Sequence, residues 1–125
     1  MSTDLKKLAA TWAAAQEVEG ERSEAQNAPI FAVHALLGDP EKLWQFILAA
    51  EPICTSESAF GMLGTGPLED LIQEYGVAFL DRIEYQAKQN PRFAKLFAHV
   101  WVPAGQDPVT LRYLALGCTA VGPPA

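Results

Sequence analysis

The segment Asp39-Pro40-Glu41-Lys42-Leu43-Trp44-Gln45-Phe46-Ile47-Leu48-Ala49-Ala50 decides the fold class. An aspartate side chain accepts from the free amides of a helix's first turn. Proline suits the first helical position, because the N–H it lacks has no partner there. Leu43, Trp44, Ile47 and Leu48 then fall on one face of a helix. Pro52 closes the run, because a proline inside a helix removes a backbone bond and clashes with the preceding turn. The same start signal recurs as Asn90-Pro91 and Asp107-Pro108.

Working outward, Thr3 or Asp4 can cap a first helix with Leu5, Leu8, Ala9, Trp12 and Ala15 on its face. A second helix is expected over 23–37, with Ile30, Val33, His34 and Leu37 at core spacing. Pro29 either begins it or kinks a longer one, and Gly38 ends it. Thr55 or Ser56 caps a short helix that ends at Gly64. Thr65-Gly66-Pro67 starts the next, with Leu68, Leu71, Ile72 and Tyr75 apolar. Gly76 punctuates, and Phe79, Leu80, Ile83 and Ala87 carry another helix. After Asn90-Pro91 come Phe93, Leu96, Phe97, Val100 and Trp101, a dense apolar stripe. Trp44 and Trp101 are expected in the core. Trp12 either anchors its Ala-rich helix, the favoured reading, or serves a partner. Residues 109–116 read as a helix from their cap, or as a short strand because Val109, Leu111 and Tyr113 alternate with polar residues. Residues 122–125 read as a frayed terminus.

The pattern predicts an all-α protein, a compact bundle or stack of six to eight short helices. We expect a single domain over 1–125. Within it, 1–24 form an N-terminal helix and acidic linker, 25–101 a core, and 102–125 a C-terminal extension. At 125 residues, folding removes roughly two-thirds of the unfolded chain's surface from water, enough for a core without disulfides or metals.

Fifteen acidic residues against nine basic ones give a net charge of −6. Fourteen of those acids and five of those bases lie in residues 1–84. Nucleic acid is not an expected partner, because phosphate neutralisation needs clustered Lys and Arg. No stretch approaches the ~20 apolar residues of a membrane helix. Lys6-Lys7 before an apolar Leu8–Ala15 run superficially resembles a signal peptide. The run is short and Ala-rich, Asp4 interrupts the basic region, and an amphipathic helix explains it better. Cys54 and Cys118 make no disulfide framework, so we expect a reducing, cytoplasmic setting.

Candidate chemistry is sparse. His34, His99, Cys54 and Cys118 do not sit at metal-ligand spacing. Gly61-Met62-Leu63-Gly64-Thr65-Gly66 lacks the lysine and the preceding strand of a phosphate loop. Glu69, Asp70 and Glu74 lie on one helix, with Asp70 and Glu74 one turn apart. Acids in a first turn stabilise a helix by ~0.3–1 kcal/mol each, which explains the first two without catalysis. No catalytic, cofactor-binding or metal residue is expected.

Five segments carry a resemblance to a known family: Pro40–Ala50, Gly66–Ile72, Phe79–Glu84, Asn90–Phe93 and His99–Trp101. In combination they resemble a bacterial domain-of-unknown-function family, number 6869, over about residues 25–101. The resemblance implies a helical fold and brings no site residues with it.

The expected function is therefore binding. The leading expectation is a non-enzymatic immunity or inhibitor protein that neutralises a basic partner, such as a toxin, through an acidic face. The expected contacts are Glu17, Glu19, Glu21, Glu24, Glu69, Asp70 and Glu74. The alternative is a self-associating helical adaptor, with the apolar tail Val109–Val121 as a homodimer surface. A carboxylate-dependent enzyme is the least favoured.

Overall fold

The computed structural model describes residues 3–122. The fold is all-α in class, with one small two-stranded sheet, and it divides into two compact units at Leu63/Gly64. Among the described residues no helix is long and apolar enough to cross a membrane. The frayed-terminus reading of Pro123–Ala125 lies outside the described residues.

The first unit packs α1 (Thr3–Ala15) against α2 (Glu24–Ala35) and α3 (Pro40–Ala50), and ends with α4 (Glu57–Leu63). Helix α1 already includes Thr3 and Asp4, so these residues form its first turn rather than its cap. It is Ala-rich because its buried face, with Ala9, Ala13 and Ala15, lets neighbouring helices approach closely. Trp12 is the large exception. It is 3% exposed and meets the edge of Phe46 at 5.6 Å between ring centres. Asp39 caps α3 as its sequence demands, accepting from the Lys42 amide at 3.3 Å. Phe46, which lies off the four-residue stripe read from sequence, is fully buried with Leu43, Trp44 and Ile47. Ser23 caps α2 in a reciprocal box with Gln26, each side chain accepting from the other's backbone amide. Pro29 lies inside α2 and is buried with Val33 one turn on. That face turns His34 outward, so the core placement expected for His34 does not hold.

The second unit begins with a π-turn, Gly64–Leu68, leading into α5 (Glu69–Gln89). Gly64 permits a close approach. A Cβ there would stand 2.6 Å from the Leu96 carbonyl and 2.8 Å from His99 Cβ. The two helices expected on either side of Gly76 run end to end as α5 and meet at a kink at Tyr75, whose φ of −132° and ψ of 23° leave the helical region. Helix α6 (Pro91–Ala94) starts under Asn90, which accepts from the Arg92 and Phe93 amides, and tightens into a 3-10 turn over Lys95–His99. Phe93 and Phe97 are fully buried and meet edge to face at 5.8 Å.

Two three-residue strands follow, β1 (Trp101–Pro103) and β2 (Thr119–Val121). They run parallel, with Trp101 opposite Thr119. Helix α7 (Pro108–Leu116) makes the crossover that a parallel pair requires. Its cap is Asp107, and Gly117, at φ 119°, turns the chain out of it into β2. Residues 109–116 are thus helical, as the cap implied. The tail is built into this unit, with Tyr113 and Cys118 both buried. The core placement expected for Trp101 is corrected, since it stands 56% exposed. The apolar stripe stops at Val100, where the chain leaves the 3-10 turn and extends.

Candidate functional site

The structure places the acidic residues singled out by sequence in both units, four in the first and three in the second. Glu17, Glu19 and Glu21 lie on the connection after α1, and Glu24 is the first residue of α2; all four are exposed. The connection is tied at both ends. Arg22 Nε donates to the Ala15 carbonyl at 2.8 Å, and the Ser23 box fixes the start of α2. Four carboxylates are therefore displayed on a short anchored segment.

Glu69 serves a different purpose. It is partly buried, and its Oε1 accepts from the Trp101 amide at 2.6 Å. Gln73, one turn later, donates from Nε2 to the Trp101 carbonyl at 3.1 Å. The pair holds both backbone groups of the first residue of β1. The i, i+4 spacing of the two side chains on α5 is what lets them do so. Asp70 is partly buried, whereas Glu74 is exposed and faces a groove.

That groove, about 470 Å³, lies within the second unit. The bend of α5 forms one wall, and β1 with the start of α7 forms the other. The bend is supported by the Tyr113 hydroxyl, which donates to the Gly76 carbonyl at 2.6 Å. Glu74 and Asp107 are the ionisable acids of its lining. Asp107 Oδ1 accepts from the Thr110 hydroxyl at 2.7 Å and Oδ2 from the Thr110 amide at 3.0 Å. These bonds to Thr110, the hydroxyl first, hold the Asp107 carboxyl below the usual aspartate range.

On the face joining α5 and α7, Arg112 donates from Nη2 to Asp81 at 2.8 Å, from Nε to Glu84 at 3.0 Å, and from Nη2 to the second Glu84 oxygen. The Arg112 hydrogen bond lowers the Glu84 carboxyl, and Glu84 and Asp81 together raise the guanidinium.

Both cysteines are free and buried, one in each unit. Burial, with Glu69 nearby, pushes the Cys118 thiol up to about 12. A thiol held protonated at neutral pH is a poor nucleophile. Burial likewise raises the Tyr113 hydroxyl. His34 and His99 are exposed. Among the described residues, no three of His, Cys, Asp and Glu gather as a metal site would need.

Sequence reasoning missed the groove. Asp107 was legible only as a cap, and nothing local brings residue 107 beside residue 74. Trp101, read as core, had one usable signal: the Val102-Pro103 pair after it ends any helix.

No curated protein and no solved structure matches the chain. A family model does match, over residues 9–119, and so extends past the 25–101 stretch that carried the resemblance at both ends. It takes in Trp12 of α1, then β1 and α7, and ends at Thr119, the first residue of β2; its description is "Family of unknown function". The chain belongs to that family, DUF6869.

Proposed function

We propose that the protein is a non-enzymatic binding protein of the immunity or inhibitor type, which neutralises a basic protein partner, such as a toxin, through its acidic surface. The observation that carries this reading is the anchored segment 17–24, where Glu17, Glu19, Glu21 and Glu24 are all exposed. Four carboxylates against one cation, Arg22, leave the segment net negative, and its like charges repel one another. A cationic partner relieves that repulsion and is steered in by it. Of Glu69, Asp70 and Glu74 on α5, Glu74 is the exposed one; the other two are partly buried, and the Glu69 carboxylate holds the Trp101 amide. Two buried free thiols suit a reducing, cytoplasmic setting.

The test is affinity capture from the source cells with wild-type protein and with the quadruple variant E17Q/E19Q/E21Q/E24Q. A basic partner is expected in stoichiometric amount with wild type, and much less of it with the variant. Absence of any stoichiometric partner, or equal capture by both proteins, overturns the reading.

Self-association is the second reading. The exposure of Trp101 and Leu111, 56% and 45%, favours it, since large apolar side chains left in water often mark an interface. Light scattering across a hundredfold concentration range separates the two, because only self-association raises the mass without a partner.

A further inference from the structure

The groove of the second unit has a chemistry of its own. Its walls are apolar at Ile72, Val102, Pro103 and Val109, its charge comes from Glu74 and Asp107, and among the described residues no lysine or arginine lines it. We propose that this groove seats the long basic side chain of a partner polypeptide, lysine or arginine. Its methylenes would run along the apolar walls and its cation would meet Glu74 and Asp107. The proposal rests on the basic-partner reading above and names where the partner's cation goes.

Three observations select this occupant. The first is charge. An anionic ligand would meet two carboxylates and no cation. A wholly apolar side chain would take those carboxylates out of water without returning a hydrogen bond, which is costly. A side chain with an apolar stem and a cationic tip satisfies both halves of the lining.

The second is prior order. Asp107 is held by its two bonds to Thr110, so its carboxylate is oriented before anything binds. Asp107 itself is exposed, so a cation can reach its carboxylate beside these bonds. The opposite wall is set by the Tyr113 hydroxyl on the Gly76 carbonyl, and Gln73 is held against the Trp101 carbonyl. The walls and Asp107 are thus set before binding, and the ordering left to be done is that of the exposed Glu74.

The third is size. At about 470 Å³ the groove takes one side chain with its flanking backbone. Pockets for small ligands run roughly 300–1,000 Å³.

The experiment is an amide-resolved NMR titration of the full chain with the blocked tripeptide acetyl-Ala-Lys-Ala-amide, alongside the same peptide carrying norleucine in place of lysine. The lysine peptide is expected to shift amides in 72–78 and 102–110, with a dissociation constant on the order of millimolar. Norleucine, E74Q and D107N are each expected to weaken binding by about fivefold or more. Asparagine caps a helix about as well as aspartate, so D107N keeps α7 in place. Norleucine binding as well as lysine, or no shift at these amides by 20-fold excess over that constant, overturns the proposal. Lysine-dependent shifts confined to 17–24 also overturn it, while leaving the wider acidic-surface reading standing. Groove shifts in a protein that captures no partner from cells support the groove and count against that wider reading.

Discussion

The two units are built by different means. In the first, α1, α2 and α3 meet through apolar side chains, with small alanines on α1 and the Trp12–Phe46 contact filling the wider space. Its bonds at Ser23, Asp39 and Ser56 are local caps, and Arg22 reaches the Ala15 carbonyl only seven residues back. The second unit also has an apolar core around Phe93 and Phe97, but it adds side-chain-to-backbone bonds that join positions 28 to 37 residues apart. Thr65 donates to the His99 carbonyl, Glu69 and Gln73 hold Trp101, and Tyr113 holds Gly76. The reason is geometric. A bundle of regular helices satisfies its own backbone. A π-turn, a bent helix and two three-residue strands leave carbonyls and amides that side chains must reach.

The comparison can be broken most forcefully in the first unit. Phe46→Ala removes a fully buried ring and the edge contact with Trp12. It is expected to cost about 3–5 kcal/mol in urea unfolding. Because Cys54 is buried in the first unit and Cys118 in the second, thiol labelling followed by peptide mass spectrometry reads opening in each unit separately. F46A should speed labelling of Cys54 more than that of Cys118. Equal acceleration of both would show that the units open together.

Gly64→Ala should come next, at about 1–3 kcal/mol, because the added methyl meets backbone at Leu96 that has no flexible end to yield. Here the larger labelling increase should fall on Cys118. Tyr113→Phe is expected to cost about 1 kcal/mol, since water in the adjoining groove can reach the released Gly76 carbonyl. An unchanged unfolding midpoint would show that the hydroxyl contributes nothing to the bend.

The smallest effect is electrostatic. The Glu84 carboxyl is lowered in the folded protein, chiefly by its bond from Arg112. A group depressed on folding adds stability above its unfolded value, near 4.5, and loses it as pH falls through the depressed value. Arg112→Ala should therefore lose a small increment of stability at neutral pH and converge on wild type as pH falls below the depressed value, which flattens the acid side of the curve. A loss at pH 7 as large as that of Gly64→Ala would mean that Arg112 packs structurally, not only through its charge.

Legibility followed locality. Asp39, Asn90 and Asp107 cap their helices as the Asx-Pro pairs imply, because a cap involves four neighbouring residues. The strands were not legible, because three residues carry no period. His34 and Trp101 were placed by extending a stripe by one position too many. A buried stripe is set by where the partner lies, and in α2 the partner covers Pro29 and Val33. Of the acidic residues, exposure on 17–24 could be expected from a run in which Val18 is the one large apolar residue. The diversion of Glu69 to the Trp101 amide could not, since it needs residues 32 positions apart to meet.

By itself the sequence determined the helical class, the helix starts at Asp39, Asn90 and Asp107, and the uneven charge, since each depends on composition or on neighbours along the chain. Only the tertiary structure decided that Glu69 holds β1 while Glu74 faces the groove. It also decided that Asp107, a cap in the sequence, is half of an acidic lining. The physical reason is that a side chain's role depends on what folding brings beside it. For Asp107 that neighbour is a bend in α5 some thirty residues away.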